Sequence, residues 1–154
     1  MILRRATAAD ADHVADIDLA ARAEALPTVR GAHTPEEVRA WIANVMLPGS
    51  DVWVAEDDGV VVGYLAMEDE LVAQLHVRPG YWRRGIGTAM MRHAKQLRPD
   101  GLRLWCFQVN ARARAFYVAH GFVAVEFTDG NRNEEQEPDI LFAWRGNSES
   151  SFQG

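Results

Sequence analysis

The chain predicts a single α/β domain of the α+β type, with a mixed, mainly antiparallel sheet of about seven strands flanked by four helices. Three observations carry this reading. Consecutive β-rich runs fill Asp51 to Val77 and are separated by short acidic turns, the pattern of successive hairpins. Helix-period segments precede that block and alternate with strands after it. The length of 154 residues fits one domain, and its 48% apolar content supplies one core.

Taken in order, Met1 to Ala6 reads as a first strand, and Asp10 is placed to cap a helix carrying Val14, Ile17, Leu19 and Ala21. Leu26 to His33 contains Pro27 and Gly31 and reads as a loop. Thr34-Pro35-Glu36-Glu37 combines an N-cap, a first-position proline and an acidic first turn, so a second helix should bury Val38, Trp41, Ile42 and Val45 on one face. Val52 to Ala55 and Val60 to Met67 then form a hairpin about Glu56-Asp57-Asp58-Gly59, and a fourth strand runs from about Leu71 to Val77, ended by Pro79. Ile86, Met90, Ala94 and Leu97 recur at helical spacing as core positions of a third helix. Leu102 to Gln108 gives a strand, Asn110 caps a fourth helix, and Phe122 to Phe127 with Ile140 to Trp144 complete the sheet. The domain is expected to span residues 1–145, with 146–154 a Ser- and Gly-containing disordered tail.

The most informative stretch is residues 75–88, Leu-His-Val-Arg-Pro-Gly-Tyr-Trp-Arg-Arg-Gly-Ile-Gly-Thr, where a strand passes through a glycine loop directly into an amphipathic helix. Gly85 and Gly87 let backbone N–H groups close on an anion at the helix start, and Arg83 and Arg84 add positive charge. A dinucleotide fingerprint would need glycine where Met90 stands and an acidic residue near Trp105. A nucleoside-triphosphate loop would need Lys and Ser or Thr after Gly87, which is followed by Thr88 and Ala89. Neither pattern is met. Trp82 to Gly87 instead resembles the Gln/Arg-x-x-Gly-x-Gly/Ala loop of the GNAT superfamily of acyl-CoA N-acyltransferases, with Trp82 in place of the usual Gln or Arg. Downstream, Asn110-Ala-Arg-Ala-Arg-Ala-Phe116-Tyr117-Val-Ala-His-Gly121-Phe122 resembles the same family's Asn-x-x-Ala-x-x-Phe-Tyr-x-x-x-Gly-Phe signature. The resemblance reaches from the first strand to about Trp144.

That resemblance implies a fold in which strands four and five splay apart, and an N-acetyltransferase whose donor is acetyl-CoA. Carried over position by position, it implies that backbone groups of Leu75 and Val77 bind the pantetheine arm. Arg83, Arg84, Gly85, Ile86, Gly87 and Thr88 would surround the diphosphate, and Asn110 would contact the arm while capping its helix. Tyr117 takes the place of the family's general acid, since a phenol stays protonated at neutral pH and can protonate a departing thiolate, although core packing beside Phe116 is its other reading. The base stays unassigned: Glu70 sits slightly off the position where some relatives carry a glutamate, and His76 reads equally as a structural strand histidine. Glu134 and Glu135, between the last two strands, could attract an ammonium group or belong to a plain polar loop.

The acceptor expected from this pattern is a primary amine of a small molecule, attacking directly in a ternary complex. A protein or peptide acceptor, and a domain that binds acyl-CoA without turnover, are the alternatives. A formal net charge of −6 argues against nucleic acid as a partner, with arginines gathered instead between Arg78 and Arg114. The absence of a long apolar run and of a secretory leader leads to a cytoplasmic protein with no membrane partner. The family's frequent dimers raise a homodimer. Cys106, the one cysteine, lies between Trp105 and Phe107 and reads as a buried strand residue. No metal is expected, because no His-Glu-x-x-His or Cys-x-x-Cys occurs and Asp129-x-Asn131-x-Asn133 lacks the glycine and final glutamate of a calcium loop.

Overall fold

In the computed structural model, residues 1–29 and 31–147 are described, so most of the expected tail lies outside the described residues. The strands are β1 (Ile2–Arg5), β2 (Asp51–Asp57), β3 (Val60–Glu68), β4 (Leu71–Val77), β5 (Leu102–Phe107), β6 (Val123–Phe127) and β7 (Asp139–Trp144). The helices are α1 (Ala11–Ala25), α2 (Pro35–Trp41), α3 (Leu47–Gly49), α4 (Ile86–Leu97) and α5 (Ala111–Ala119). A π turn over Ile42–Met46 joins α2 to α3 with helical dihedrals at both junctions, so these pieces form one rod and the flanking helices number four.

One seven-stranded sheet runs in the order β1-β2-β3-β4-β5-β7-β6, antiparallel everywhere except between β4 and β5. Asp58 and Gly59 both hold positive φ, 53° and 80°, at the tip of the β2–β3 hairpin, the twist that matches a two-residue hairpin turn. Helices α1 and α2 cover one face of the sheet through Val14, Ile17, Ile42 and Met46, packed on Val52, Val54 and Tyr64. The opposite face is covered by α4 and α5. There Ile86, Met90, Met91 and Ala94 are buried on Leu65, Leu104 and Phe142, each larger side chain contributing roughly 2 kcal/mol. Gly63 lets α4 sit this close to β3, since a Cβ there would lie 3.0 Å from Met90 Cε and 3.1 Å from the His76 carbonyl oxygen.

Two local expectations are corrected. Asp10 stands at the α1 N-cap position but makes no side-chain cap bond. Its carboxylate turns back to the Thr7 N–H at 2.7 Å and to both Arg4 terminal nitrogens at 2.9 Å, because a fixed guanidinium fork offers more than one helix N–H. On the second helix Ile42 and Met46 are buried, whereas Trp41 and Val45 are exposed. The π turn, with Leu47 N–H bonded to the Ile42 carbonyl, inserts an extra residue and rotates those two side chains off the core face.

The sheet's most consequential irregularity is in β4. Ala66 pairs with Gln74 but Met67 pairs with Val72, so Ala73 is an unpaired bulge residue. After it β4 follows β3 and leaves β5: the two share the single register pair Leu71 and Arg103, with Arg103 N–H bonded to the Glu70 carbonyl at 2.9 Å.

Candidate active site

Beyond Leu71 the diverging strands open a cavity of about 780 Å³, lined along one wall by Val72 to Val77 and along the other by Trp105, Cys106 and Phe107. Arg78 N–H bonds the Val62 carbonyl, which fixes the alternation of β4 after the bulge: even-numbered peptide groups face β3, and those of Leu75 and Val77 turn toward the gap. The Trp82 indole donates to the Val77 carbonyl at 2.8 Å, so Val77 presents its N–H to the gap and Leu75 presents both groups. Cys106 is buried on the second wall, and burial pushes its thiol up to about 11.

At the mouth of the gap the chain turns through Arg83, at φ 66°, and Gly85, at φ 81°, into α4. A Cβ on Gly85 would meet open space, so glycine is needed there for its left-handed backbone. The first α4 backbone bond runs from Ala89 N–H to the Gly85 carbonyl, leaving the N–H groups of Ile86, Gly87 and Thr88 ahead of the helix ladder. The Thr88 hydroxyl lies 3.3 Å from His120 Nε2. Arginines surround this end: Arg84 lies over the Tyr81 ring, Arg112 stacks on the Trp82 ring at 3.3 Å, and Arg83 is exposed with no ion pair among the described residues. Burial and the neighbouring Arg83 lower the Arg112 pKa.

Deeper in the cavity, α5 places Tyr117, its ring against Phe116, Phe122 and Phe142 at 5.5–6.0 Å. Burial raises the phenol above its ordinary value, so it is a proton donor across the working pH range. Asn110 caps α5 by accepting from Ala113 N–H at 3.1 Å, and it also lines the cavity. On the α1 side, a second cavity of about 840 Å³ adjoins the first through shared Arg22, Leu26, Gln74, Phe107 and Glu135. Glu37, Glu134 and Asp18 add negative charge to it, and Trp41, Val38 and Leu26 add apolar wall. His33 Nε2 lies 2.6 Å from Glu134 Oε2, tying the α1–α2 loop to the β6–β7 loop across this cavity.

Residues 48–124 match the family model for the acetyltransferase (GNAT) domain. The chain belongs to the GNAT family. It is 35% identical over 104 residues to the peptidyl-lysine N-acetyltransferase YiaC of Escherichia coli K12, covering 67% of this chain and 69% of that one. Over 134 residues it is 32% identical to the mycothiol acetyltransferase of Beutenbergia cavernae, covering 80% of this chain but spanning 45% of that protein. The solution structure of apo YjaB from Escherichia coli superposes with a TM-score of 0.79 at 19% identity, over 96% of this chain and 100% of that one.

GNAT enzymes are acyl-CoA-dependent N-acetyltransferases, and the features of this gap fit that donor: outward-turned peptide groups, a left-handed glycine at a helix N-terminus and a ring of arginines. The predicted donor-site residues Leu75, Val77, Arg83, Gly85, Ile86, Gly87, Thr88 and Asn110 line this one cavity together with Tyr117, and Arg84 flanks its mouth on Tyr81. Glu135 reaches both cavities, whereas Glu134 lines only the second. Glu70 is paired with Arg103 at 2.9 Å, at the closed end of the strands. Sequence reasoning included Arg112 only within the Arg78 to Arg114 cluster without singling it out, and it missed the Trp82 indole bond to the Val77 carbonyl. Arg78 and Arg114, part of the predicted basic cluster, bond the Val61 and Gln108 carbonyls. No cluster able to hold a metal is present among the described residues, and no described helix is long and apolar enough to cross a membrane.

Proposed function

We propose that this chain transfers an acetyl group from acetyl-CoA to a primary amine of a small molecule, by direct attack in a ternary complex. The observation that carries this reading is the junction of two unlike cavities: an arginine-rimmed gap in the sheet opens into an acidic chamber at Gln74, Phe107 and Glu135. The first suits a polyphosphate thioester. The second suits an ammonium group on an apolar body, through charge attraction and aromatic contact.

In this reading the N–H groups of Ile86, Gly87 and Thr88, with Arg83, Arg84 and Arg112, hold the diphosphate. Leu75, Val77 and Asn110 hold the pantetheine arm through backbone and amide groups. Val77 N–H, or its neighbour on the gap side, donates to the developing oxyanion, and Tyr117 protonates the thiolate as it leaves. Glu134 and Glu135 draw the cationic acceptor toward the gap.

A lysine side chain in a peptide is the second reading, favoured by the 35% identity to a protein named as a peptidyl-lysine acetyltransferase. Release of free thiol from acetyl-CoA, compared across polyamines, amino acids, aminoglycosides and lysine peptides, separates the two. Turnover confined to peptides would replace the small-molecule acceptor, and binding without thiol release for every amine would mark an acyl-CoA-binding module instead.

A further inference from the structure

We infer that the amine this chain acetylates is a free amino acid with an apolar side chain, its carboxylate held by Arg22 and Gln74 and its ammonium group facing Glu135; this rests on the N-acetyltransferase reading above. All three residues line both cavities, so they frame the seam through which an acceptor reaches the thioester. Arg22 comes from α1, Gln74 from β4 and Glu135 from the β6–β7 loop. Gln74 directly precedes Leu75, whose peptide groups turn toward the gap. A carboxylate held at the seam therefore keeps an amine one carbon away beside the strand that receives the donor.

The hydrogen-bond donors at this seam are partly unspent. Arg22 gives its Nε–H to Asp18 Oδ1 at 3.0 Å and one Nη2 hydrogen to Gln74 Oε1 at 3.1 Å, which leaves Nη1 without a partner. Gln74 Oε1 also lies 2.9 Å from His76 Nε2, and because a guanidinium only donates, the other Gln74 amide atom is the nitrogen, again without a partner. Among the described residues, the buried side-chain nitrogens and oxygens that lack a partner are Trp53 Nε1 and His93 Nε2 alone. Arg22 Nη1 and the Gln74 amide nitrogen, on half-buried residues, are therefore open to solvent and to a carboxylate. Asp18 does not compete for them: it is 3% exposed, accepts from the Tyr64 hydroxyl at 2.5 Å and lies 3.8 Å from His76 Nε2.

The charges select a zwitterion. Burial opposes the charge on Arg22, yet Asp18, Tyr64 and Glu135 hold its pKa above the ordinary value. Glu135 thus feels Arg22, but its carboxylate forms no ion pair with it or with any other described residue. A simple ammonium drawn to Glu135 would enter beside a guanidinium of like charge, and a lone carboxylate on Arg22 would meet Glu135. An amino acid carries both charges on one carbon, satisfies both groups and adds no net charge to the seam. Leu26, Val38 and Trp41 give its side chain an apolar wall in the second cavity. The transfer forms the C–N bond and breaks the C–S bond, and the two protons that the ammonium loses go to the thiol and to solvent.

Thiol release from acetyl-CoA by leucine and phenylalanine, each compared with its amide and with the amine that lacks the carboxylate, tests this. The wild type should favour the amino acids by roughly 10- to 100-fold in kcat/KM, the worth of a charge-assisted pair. In Arg22→Met that advantage should shrink at least tenfold, chiefly through KM, with acetyl-CoA affinity by calorimetry within threefold of wild type. Comparing each ratio between wild type and variant cancels the amines' own reactivity. Arg22→Lys, which leaves Asp18 a partner, covers the case in which Arg22→Met fails to fold, and should lose several-fold of the advantage. A wild type that uses the amides or the plain amines as well as the amino acids, an equal loss for every acceptor in the variants, or a loss of acetyl-CoA affinity instead would overturn the inference and leave the acetyltransferase reading intact. Turnover confined to lysine peptides, or acetyl-CoA binding without thiol release from any amine, would overturn both the small-molecule reading and this one.

Discussion

Tyr117 carries a hydroxyl group into an otherwise aromatic and aliphatic corner, where burial keeps it protonated. Tyr117→Phe keeps the ring contacts and removes only the donor, so kcat should fall roughly 100-fold while acetyl-CoA affinity and the melting temperature stay near wild type. An unchanged kcat would remove it from the mechanism. Asp10 makes a different kind of prediction. The Arg4 guanidinium holds its carboxyl down at about 2 against an ordinary 3.8, so the native state favours its ionised form. Its stabilisation is complete above the unfolded value and disappears as pH falls through the folded one. Asp10→Asn should therefore cost about 1–2 kcal/mol in urea unfolding at neutral pH and much less near pH 2. At this scale motif spacing singled out Tyr117 and Asn110, and both line the cavity. It could not show that Asp10 belongs to Arg4 or that His76 faces Asp18, because those partners meet only after β1, α1, β3 and β4 assemble.

Among the elements, β4 and the turn into α4 decide what the sheet can bind. Ala73 is the residue that shifts the pairing of β4 on β3 and reverses which peptide groups face the gap. Deleting it should restore a regular ladder, draw β4 toward β5 and abolish acetyl-CoA binding by calorimetry in a chain that still shows α/β circular dichroism. At Gly85 the backbone holds φ 81°, and Gly85→Val places a β-branched residue in the left-handed region at a cost of about 1–2 kcal/mol. The same substitution should weaken acetyl-CoA binding at least tenfold by disturbing the start of α4. The strands and helices themselves were legible from periodicity and turn residues, and α4 above all. The bulge was not, since Val72-Ala73-Gln74 carries no glycine or other turn residue to mark it. The π turn was equally hidden, and with it the true buried face of the second helix.

At the scale of the molecule, the two halves of the sheet meet at the gap, and loops from each half meet over the second cavity. His33 on one side and Glu134 on the other form that contact, and Glu134 raises the imidazole pKa. A raised pKa means the contact is strongest below the ordinary histidine value and weakens as pH rises through the folded one. The His33 titration followed by NMR should have its midpoint above about 6.5, returning toward that value in Glu134→Gln. The resemblance across two ordered motifs foretold the splayed sheet, whereas the position of the acidic chamber depends on loops that no short motif describes. The claim on which the rest depends is that the opening between β4 and β5 is a coenzyme A site. Calorimetric titration of the purified chain with acetyl-CoA tests it directly. Binding of one molecule per chain, lost on deletion of Ala73 and weakened by Gly85→Val, is the expected result; no binding, or binding indifferent to both changes, would contradict it.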